Sequence, residues 1–302
     1  MQPHLHILPD LSNANNPSPL DVQHQALQAL ENGQVIFLPH LTFSSPLIKR
    51  AIDNPEELLH ATHKNISYYH PAQRMGTLKK EASDMSYTEQ LQSMLGDYAN
   101  YAKNLIDNLF PNYSKMLEWG RTSFRPCEVE KRSSSKRKDD TRLHVDSFSA
   151  SPVYGKRILR VFNNVDPYGG PRIWHLGEGF ETIVSRYGPA IPNYNYLVAC
   201  FLRMVRTTKT LRSPYDHYQI YLHDRMKRDD HYQQTVAKER VAFPAQTTWI
   251  VFTDQVSHAA LQGKGLLEQT FYLPVDAMQK PELSPLRQWE KLKGRMKMKS
   301  DA

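Results

Sequence analysis

Residues Thr141-Arg-Leu-His-Val-Asp-Ser-Phe148 place an imidazole, His144, and a carboxylate, Asp146, two positions apart. Side chains on an extended segment alternate between faces, so a strand here presents both groups on one side. One further imidazole would complete the two-histidine, one-carboxylate facial triad of non-haem Fe(II) oxygenases, which keeps positions open for a co-substrate and oxygen. His258, in Val251-Phe-Thr-Asp-Gln-Val-Ser-His-Ala-Ala260, is the candidate. The pair alone decides little, since a chain with 13 histidines among 302 residues contains about one His-x-Asp by chance. A metal-free pairing of a strand-end carboxylate with a histidine is the plain alternative.

The surroundings favour the metal. Extended segments flank the pair, and His258 follows the apolar run Trp249-Ile-Val-Phe252. In a jelly roll, the strand carrying His-x-Asp and the end of a late strand lie side by side at one mouth of the barrel. Fe(II) held by two neutral histidines and one carboxylate keeps a single net positive charge and favours an anionic chelator such as a 2-oxoacid. The far carboxylate of that chelator, once buried, needs a basic partner, ideally a bidentate arginine. Arg160, between apolar neighbours in Arg157-Ile-Leu-Arg-Val-Phe162, is the first candidate and Arg125, in Ser123-Phe-Arg-Pro126, the second. Either equally suits a structural ion pair.

The elements that must position these groups read as mixed α+β, with a double-stranded β-helix (jelly-roll) core flanked by helices, in a single domain. Residues 1–19 read as an arm. Residues 20–118 are helix-rich, with Asp21 as the cap of a first helix, a strand over Val35–Leu38, a helix over 44–63 and a short strand over Ile66–Tyr69. Apolar spacing from Leu91 to Leu109 predicts a long helix over 87–109, stopped by Pro111. Residues 119–274 form the core, with strands at 119–129, 141–148, 158–165 and 171–176, a helical insertion at 178–229, and closing strands between 242 and 273. Residues 275–302 are a basic tail.

Forty per cent hydrophobic and 23% charged residues suit a soluble globular protein, and a net charge of +7 suits an anionic partner. The start carries no basic segment followed by an apolar run, so the expectation is a cytoplasmic protein. Cys127 and Cys200 read as thiols without a bridge. Residues 131–142 hold six basic and two acidic side chains beside the metal pair, and Lys136, Arg137 and Lys138 are candidate substrate contacts, a solvated loop being the alternative. Residues 280–299 hold seven basic and two acidic residues, with Leu286, Trp289, Leu292 and Met296 at helical spacing. They read either as an anchor on anionic lipid or as a docked terminal helix.

Four segments together carry a resemblance: Arg142-Leu-His-Val-Asp-Ser-Phe148, Gly155-Lys-Arg-Ile-Leu-Arg-Val-Phe-Asn-Asn-Val165, Pro171-Arg-Ile-Trp174 and Phe252-Thr-Asp-Gln-Val-Ser-His-Ala-Ala260. The chain resembles the Kdo 3-hydroxylase family, Fe(II)/2-oxoglutarate-dependent dioxygenases acting on the 3-deoxy-D-manno-oct-2-ulosonic acid (Kdo) sugar of lipopolysaccharide. The resemblance implies His144, Asp146 and His258 as iron ligands, with Fe(II), 2-oxoglutarate and O2 as cofactors. It implies hydroxylation at C3 of a Kdo residue on Kdo-lipid A, giving D-glycero-D-talo-oct-2-ulosonic acid (Ko), by a protein peripheral on the inner face of the inner membrane, with no nucleic-acid partner. The sequence departs from the commonest dioxygenase pattern at position 268, where Glu stands in place of a basic residue about ten positions beyond the distal histidine. Two other functions stay open: a related oxygenase acting on a protein or another glycan, and a non-catalytic jelly roll that binds anionic glycolipid.

Overall fold

The computed structural model describes residues 4–11, 13–59, 65–76, 85–129, 135–149 and 151–296. The basic positions 131–134, the helical reading at 60–63 and the tail from 297 onwards lie outside them. In chain order the elements are β1 Leu5–Ile7, α1 Leu20–Glu31, β2 Val35–Leu38, α2 Leu47–Asp53, β3 Ile66–Tyr69, β4 Arg74–Gly76, α3 Met85–Leu109 and α4 Pro111–Ser114. There follow β5 Glu118–Arg125, β6 Arg157–Asn164, β7 Arg172–Leu176, and the helices α5 Phe180–Tyr187, α6 Tyr196–Met204, α7 Pro214–Arg228 and α8 Asp230–Thr235. Strands β8 Glu239–Phe243, β9 Thr247–Phe252, β10 His258–Gln262 and β11 Leu266–Leu273 precede the last helix, α9 Pro285–Lys293.

Eight strands form one sheet in the order β1-β2-β9-β6-β11-β5-β3-β4, antiparallel except where β1 lies beside β2. A second antiparallel sheet runs β10-β7-β8. The central strands β6 and β9 are buried at every position, which requires cover on both faces of the large sheet. Helix α3 covers one face: Leu91, Met94, Leu95, Tyr98, Ala102, Leu105, Ile106 and Leu109 are all buried, as their spacing predicts. The Tyr98 hydroxyl donates to the Val161 carbonyl at 3.0 Å, pinning the helix to β6. On the other face, an aromatic layer joins the two sheets, with Phe162 and Phe243 stacked on Trp249 at 5.3 and 4.1 Å and Trp174 perpendicular to it.

Several expectations need correction. Residues 5–7 of the supposed arm are a strand, because their backbone pairs with the buried β2. Pro19, not Asp21, occupies the N-cap of α1, and Asp21 sits in the first turn, where a carboxylate complements the helix dipole. Over the described part of the helix expected at 44–63, the α-helix is confined to 47–53, ended at Asn54 before Pro55, with a single 3-10 turn at Pro55–Glu57 after it. Pro111 does not only stop α3; it begins α4 from the first helical position, where its missing N–H costs nothing. The His-x-Asp stretch makes a single isolated bridge to His258 where a continuous ladder was expected. The terminal helix is docked: Trp289 is fully buried, donates to Gln219 Oε1 at 3.0 Å and stacks on Tyr218, so its indole cannot meet lipid.

A buried ion pair fixes the turn between β9 and β10. Arg157 Nε donates to Asp254 Oδ2 at 2.7 Å, Nη2 reaches Oδ1 at 3.4 Å and Gln255 Oε1 at 2.6 Å, and neither side chain of the ion pair has any exposure. The guanidinium also lies 3.7 Å above the Phe252 ring. Removing one partner of such a pair strands the other charge in the interior, at a cost of about 3–5 kcal/mol. Asp254→Ala is therefore expected to lose that much in urea unfolding; a loss below roughly 1 kcal/mol, the level of an exposed pair, would show that the pair does not hold this turn.

Candidate metal centre

The turn's first residue and the strand after it each hold part of the predicted triad. His144 and His258 exchange backbone hydrogen bonds at 3.0 and 2.9 Å, and the Asp146 N–H donates to the Thr253 carbonyl at 2.8 Å. The segment is thus extended where it matters, and His144 and Asp146 share a face as their spacing predicts. Ligand atoms of His144, Asp146 and His258 all lie within 4.8 Å of one another. His144 Nε2 is 3.7 Å from Asp146 Oδ1, and the two imidazole centroids are 4.7 Å apart.

Each histidine is oriented through its other nitrogen. His144 Nδ1 lies 2.8 Å from the Arg142 carbonyl and His258 Nδ1 2.9 Å from the Val256 carbonyl. A carbonyl only accepts, so Nδ1 carries the proton and Nε2 is left as a lone-pair donor. The Trp174 ring stacks on His258 at 5.1 Å and fixes its plane. Burial, with His258 and Lys227 nearby, pushes His144 well below the ordinary histidine range, and burial also lowers His258. Burial alone would raise the Asp146 carboxyl, but Arg160 and the two imidazoles outweigh it and hold the group below the ordinary carboxylate range. Two neutral imidazoles and an ionised carboxylate, their ligand atoms converging to within 4.8 Å, fit a divalent cation.

The triad opens into a cavity of about 220 Å³ lined also by Arg125, Asp140, Phe148, Arg160, Phe162, Arg172, Trp174, Ala260, Leu266 and Glu268. Both predicted arginines are there. Arg160 Nη2 is 3.2 Å from Asp146 Oδ2 and its Nη1 3.0 Å from Glu268 Oε1. Arg125 faces Glu268 at 3.5 Å and Asp140 at 3.8 Å. The unexpected Glu268 is the acid shared by both arginines. The basic loop stands further out. Lys136 pairs with Asp230, and Arg137 Nε with Asp224 at 2.9 Å. None of Lys136, Arg137 and Lys138 lines the cavity.

Two residues went unassigned from the sequence. Arg172, on β7, is buried; its Nη1 donates to the Gly263 carbonyl at 2.7 Å, while its Nε finds no partner among the described residues. Burial, with Arg125 beside it, lowers its pKa to about 9. The signal was present in Pro171-Arg-Ile-Trp174, where alternation puts Arg172 and Trp174 on one face. The second is His223 on α7, whose ring stands perpendicular to His144 at 5.4 Å and whose Nδ1 is 3.0 Å from Asp224 Oδ1. Its sequence context, a helix face within the insertion, carried no such signal.

Two histidines and a carboxylate facing a cavity with three arginines make the donor arrangement of a non-haem Fe(II), 2-oxoacid-dependent dioxygenase. The chain belongs to the 3-deoxy-D-manno-oct-2-ulosonic acid (Kdo) hydroxylase family, whose family model matches residues 14–296. It is similar to the crystal structure of the Kdo hydroxylase KdoO, a non-haem Fe(II) α-ketoglutarate-dependent dioxygenase, in complex with cobalt(II), at 37% identity over 99% of both chains and a TM-score of 0.93. The same enzyme with α-ketoglutarate and Fe(III) matches at 38% identity over 95% of both chains, with a TM-score of 0.89. With succinate and Fe(III) it matches at 37% identity over 99% of both, with a TM-score of 0.91. No curated protein matches the chain.

Arg160 touches the carboxylate of the triad, so its loss should free Asp146 to reorient and leave Glu268 to Arg125 alone. Arg160→Met is expected to weaken anaerobic Fe(II) binding by about 10–100-fold, the usual cost of removing a ligand's supporting partner. Calorimetric titration measures it; unchanged affinity would show that Arg160 does not orient Asp146.

Proposed function

We propose that the chain is an Fe(II)/2-oxoglutarate-dependent dioxygenase that hydroxylates C3 of a Kdo sugar on Kdo-lipid A, converting Kdo to Ko in lipopolysaccharide inner-core assembly. In this reading its two sheets form a jelly roll, the whole chain works as one dioxygenase domain, and His144, Asp146 and His258 hold the iron. One observation carries the reading: the triad shares its cavity with Arg172, a buried cation with an unpaired Nε and no acidic partner among the described residues.

Charge supports it. Arg125, Arg160 and Arg172 against Asp140, Asp146 and Glu268, with neutral imidazoles, leave the cavity lining without net charge. Fe(II) would add two positive charges, and 2-oxoglutarate is a dianion that restores neutrality. Arg172, with Arg125 beside it, suits the far carboxylate, while Arg160 adds to the positive field and steadies Asp146. Bound there, iron with 2-oxoglutarate and O2 supplies the oxidation of an unactivated C–H bond, which no protein acid or base can perform. Phe148, Phe162, Trp174 and Leu266 give the cavity its apolar lining.

The substrate is a sugar carboxylate beside lipid A phosphates, which would give the basic side chains of the 136–138 turn, outside the cavity lining, a purpose. Lys136, Arg137 and Lys138 are proposed substrate contacts. Those of Lys136 and Arg137 would require exchange of Asp230 and Asp224 for the substrate's anions. Such a substrate implies a protein peripheral on the cytoplasmic face of the inner membrane; among the described residues no helix is long and apolar enough to cross a bilayer.

Anaerobic addition of Fe(II) and 2-oxoglutarate should give a visible charge-transfer band, absent in His258→Ala, and the enzyme should add one oxygen to Kdo-lipid A by mass spectrometry. A band without oxygen transfer to Kdo would leave an oxygenase with another substrate; no band in the unaltered protein would refute the reading. Arg172→Met should raise the 2-oxoglutarate dissociation constant about 10–100-fold while iron binding persists, since a charge-assisted contact contributes roughly 1.5–3 kcal/mol. Titration of the band measures it.

A further inference from the structure

Exposed apolar side chains gather on one helix. Among the described residues, six of the thirteen exposed large hydrophobic side chains lie between Tyr196 and Val205, with Leu197 76% and Met204 72% exposed. On α6, Leu197, Phe201 and Met204 are spaced i, i+4, i+7, with Val198 and the following Val205 beside them. At 3.6 residues per turn these five fall within a sector about 120° wide. Ala199 alone on this helix is buried, so α6 turns its apolar face away from the protein. An apolar stripe of this kind on a folded chain marks a docking surface.

Charge identifies the partner. From Thr182 to Tyr215 the chain has five basic residues, Arg186, Arg203, Arg206, Lys209 and Arg212, and no acidic one. A second copy docked face to face would set these cations against one another. An anionic bilayer offers acyl chains to the stripe and phosphates to the cations. The segment after α6 is tied to the metal site's rim. Arg212 Nη2 donates to the Ser149 carbonyl at 3.2 Å, next to the cavity residue Phe148 and three positions beyond Asp146.

We propose that α6 docks the protein on an anionic lipid bilayer, Leu197, Phe201 and Met204 entering the acyl boundary and Arg206 and Lys209, in the segment that follows, meeting lipid phosphates. This rests on the reading that the substrate is a membrane-embedded Kdo lipid, and it moves the membrane contact from the terminal helix to the insertion. The full chain should co-sediment with phosphatidylethanolamine/phosphatidylglycerol vesicles and not with phosphatidylcholine vesicles. The triple variant Leu197→Ser/Phe201→Ser/Met204→Ser should bind about tenfold more weakly, as should Arg206→Glu/Lys209→Glu. An unaltered thermal unfolding midpoint shows that each variant is folded. Turnover of Kdo-lipid A in those vesicles should fall similarly, while a deacylated, water-soluble Kdo saccharide is processed at the original rate. Undiminished vesicle binding by both variants would overturn the proposal, as would a dimer of the unaltered protein that the apolar variant converts to monomer. Vesicle binding lost in the variants but no turnover of either Kdo compound by the unaltered protein would uphold the docking helix and remove the functional reading.

Discussion

Everything at the metal centre hangs on a turn held by one buried ion pair. Arg157 grips Asp254 and Gln255, so residues 253–257 cannot swing, and this turn supplies the carbonyl that fixes the Asp146 backbone, the carbonyl that orients the His258 ring, and His258 itself. A buried pair adds little net stability over well-packed apolar residues, because desolvating both charges offsets their attraction. What it contributes is direction. A planar guanidinium held by Asp254, Gln255 and the Met278 sulfur and stacked over Phe252 tolerates one arrangement of the turn, and three proposed ligands must converge to within 4.8 Å.

A second constraint is charge. A cavity meant to receive a metal dication and a dicarboxylate must fold before either arrives, so its own charges have to balance. Glu268 and Asp140 perform that service. Glu268 stands between Arg160 and Arg125, and Asp140 beside Arg125, so two of the three guanidiniums are neutralised within the protein. Arg172 is the exception, held by a backbone carbonyl alone and depressed by its burial. The glutamate at position 268 therefore balances arginines that come in from other strands.

Much of this was legible from alternation. His144 and Asp146, Arg160 and Phe162, Arg172 and Trp174, His258 and Ala260, Leu266 and Glu268 are pairs two residues apart, and all ten line one cavity. Period two in an extended segment is enough to predict which partners share a face, and an arginine inside an apolar alternation points inward. The pairings across the fold were not legible. Nothing local says that Leu5–Ile7 will find β2, or that Glu268 will meet Arg160. The two basic apolar helices show the same limit. Residues 286–296 read as an amphipathic helix that either docks or meets lipid and residues 196–205 only as part of a helical insertion, and what separates the two is a partner: Gln219 and Tyr218 receive Trp289, whereas α6 buries Ala199 alone.

Helix α8, just beyond the expected insertion, explains why the metal-binding segment needs no continuous ladder. Its residue Gln233 accepts from the Leu143 N–H at 2.8 Å and donates to the Leu143 carbonyl at 2.9 Å, satisfying the backbone on the edge that faces away from β10 as a neighbouring strand would. Arg142 is held likewise, its Nε donating to the Lys227 carbonyl at 2.5 Å and its Nη2 to Asp230 at 2.6 Å. One side of His144 is therefore set by the core and the other by helices α7 and α8. The same helices carry His223 against the His144 ring, and α6 precedes them in the chain. A scaffold that hosts many functions can thus vary the positioning of this segment without altering its sheets, since helices outside them clamp it.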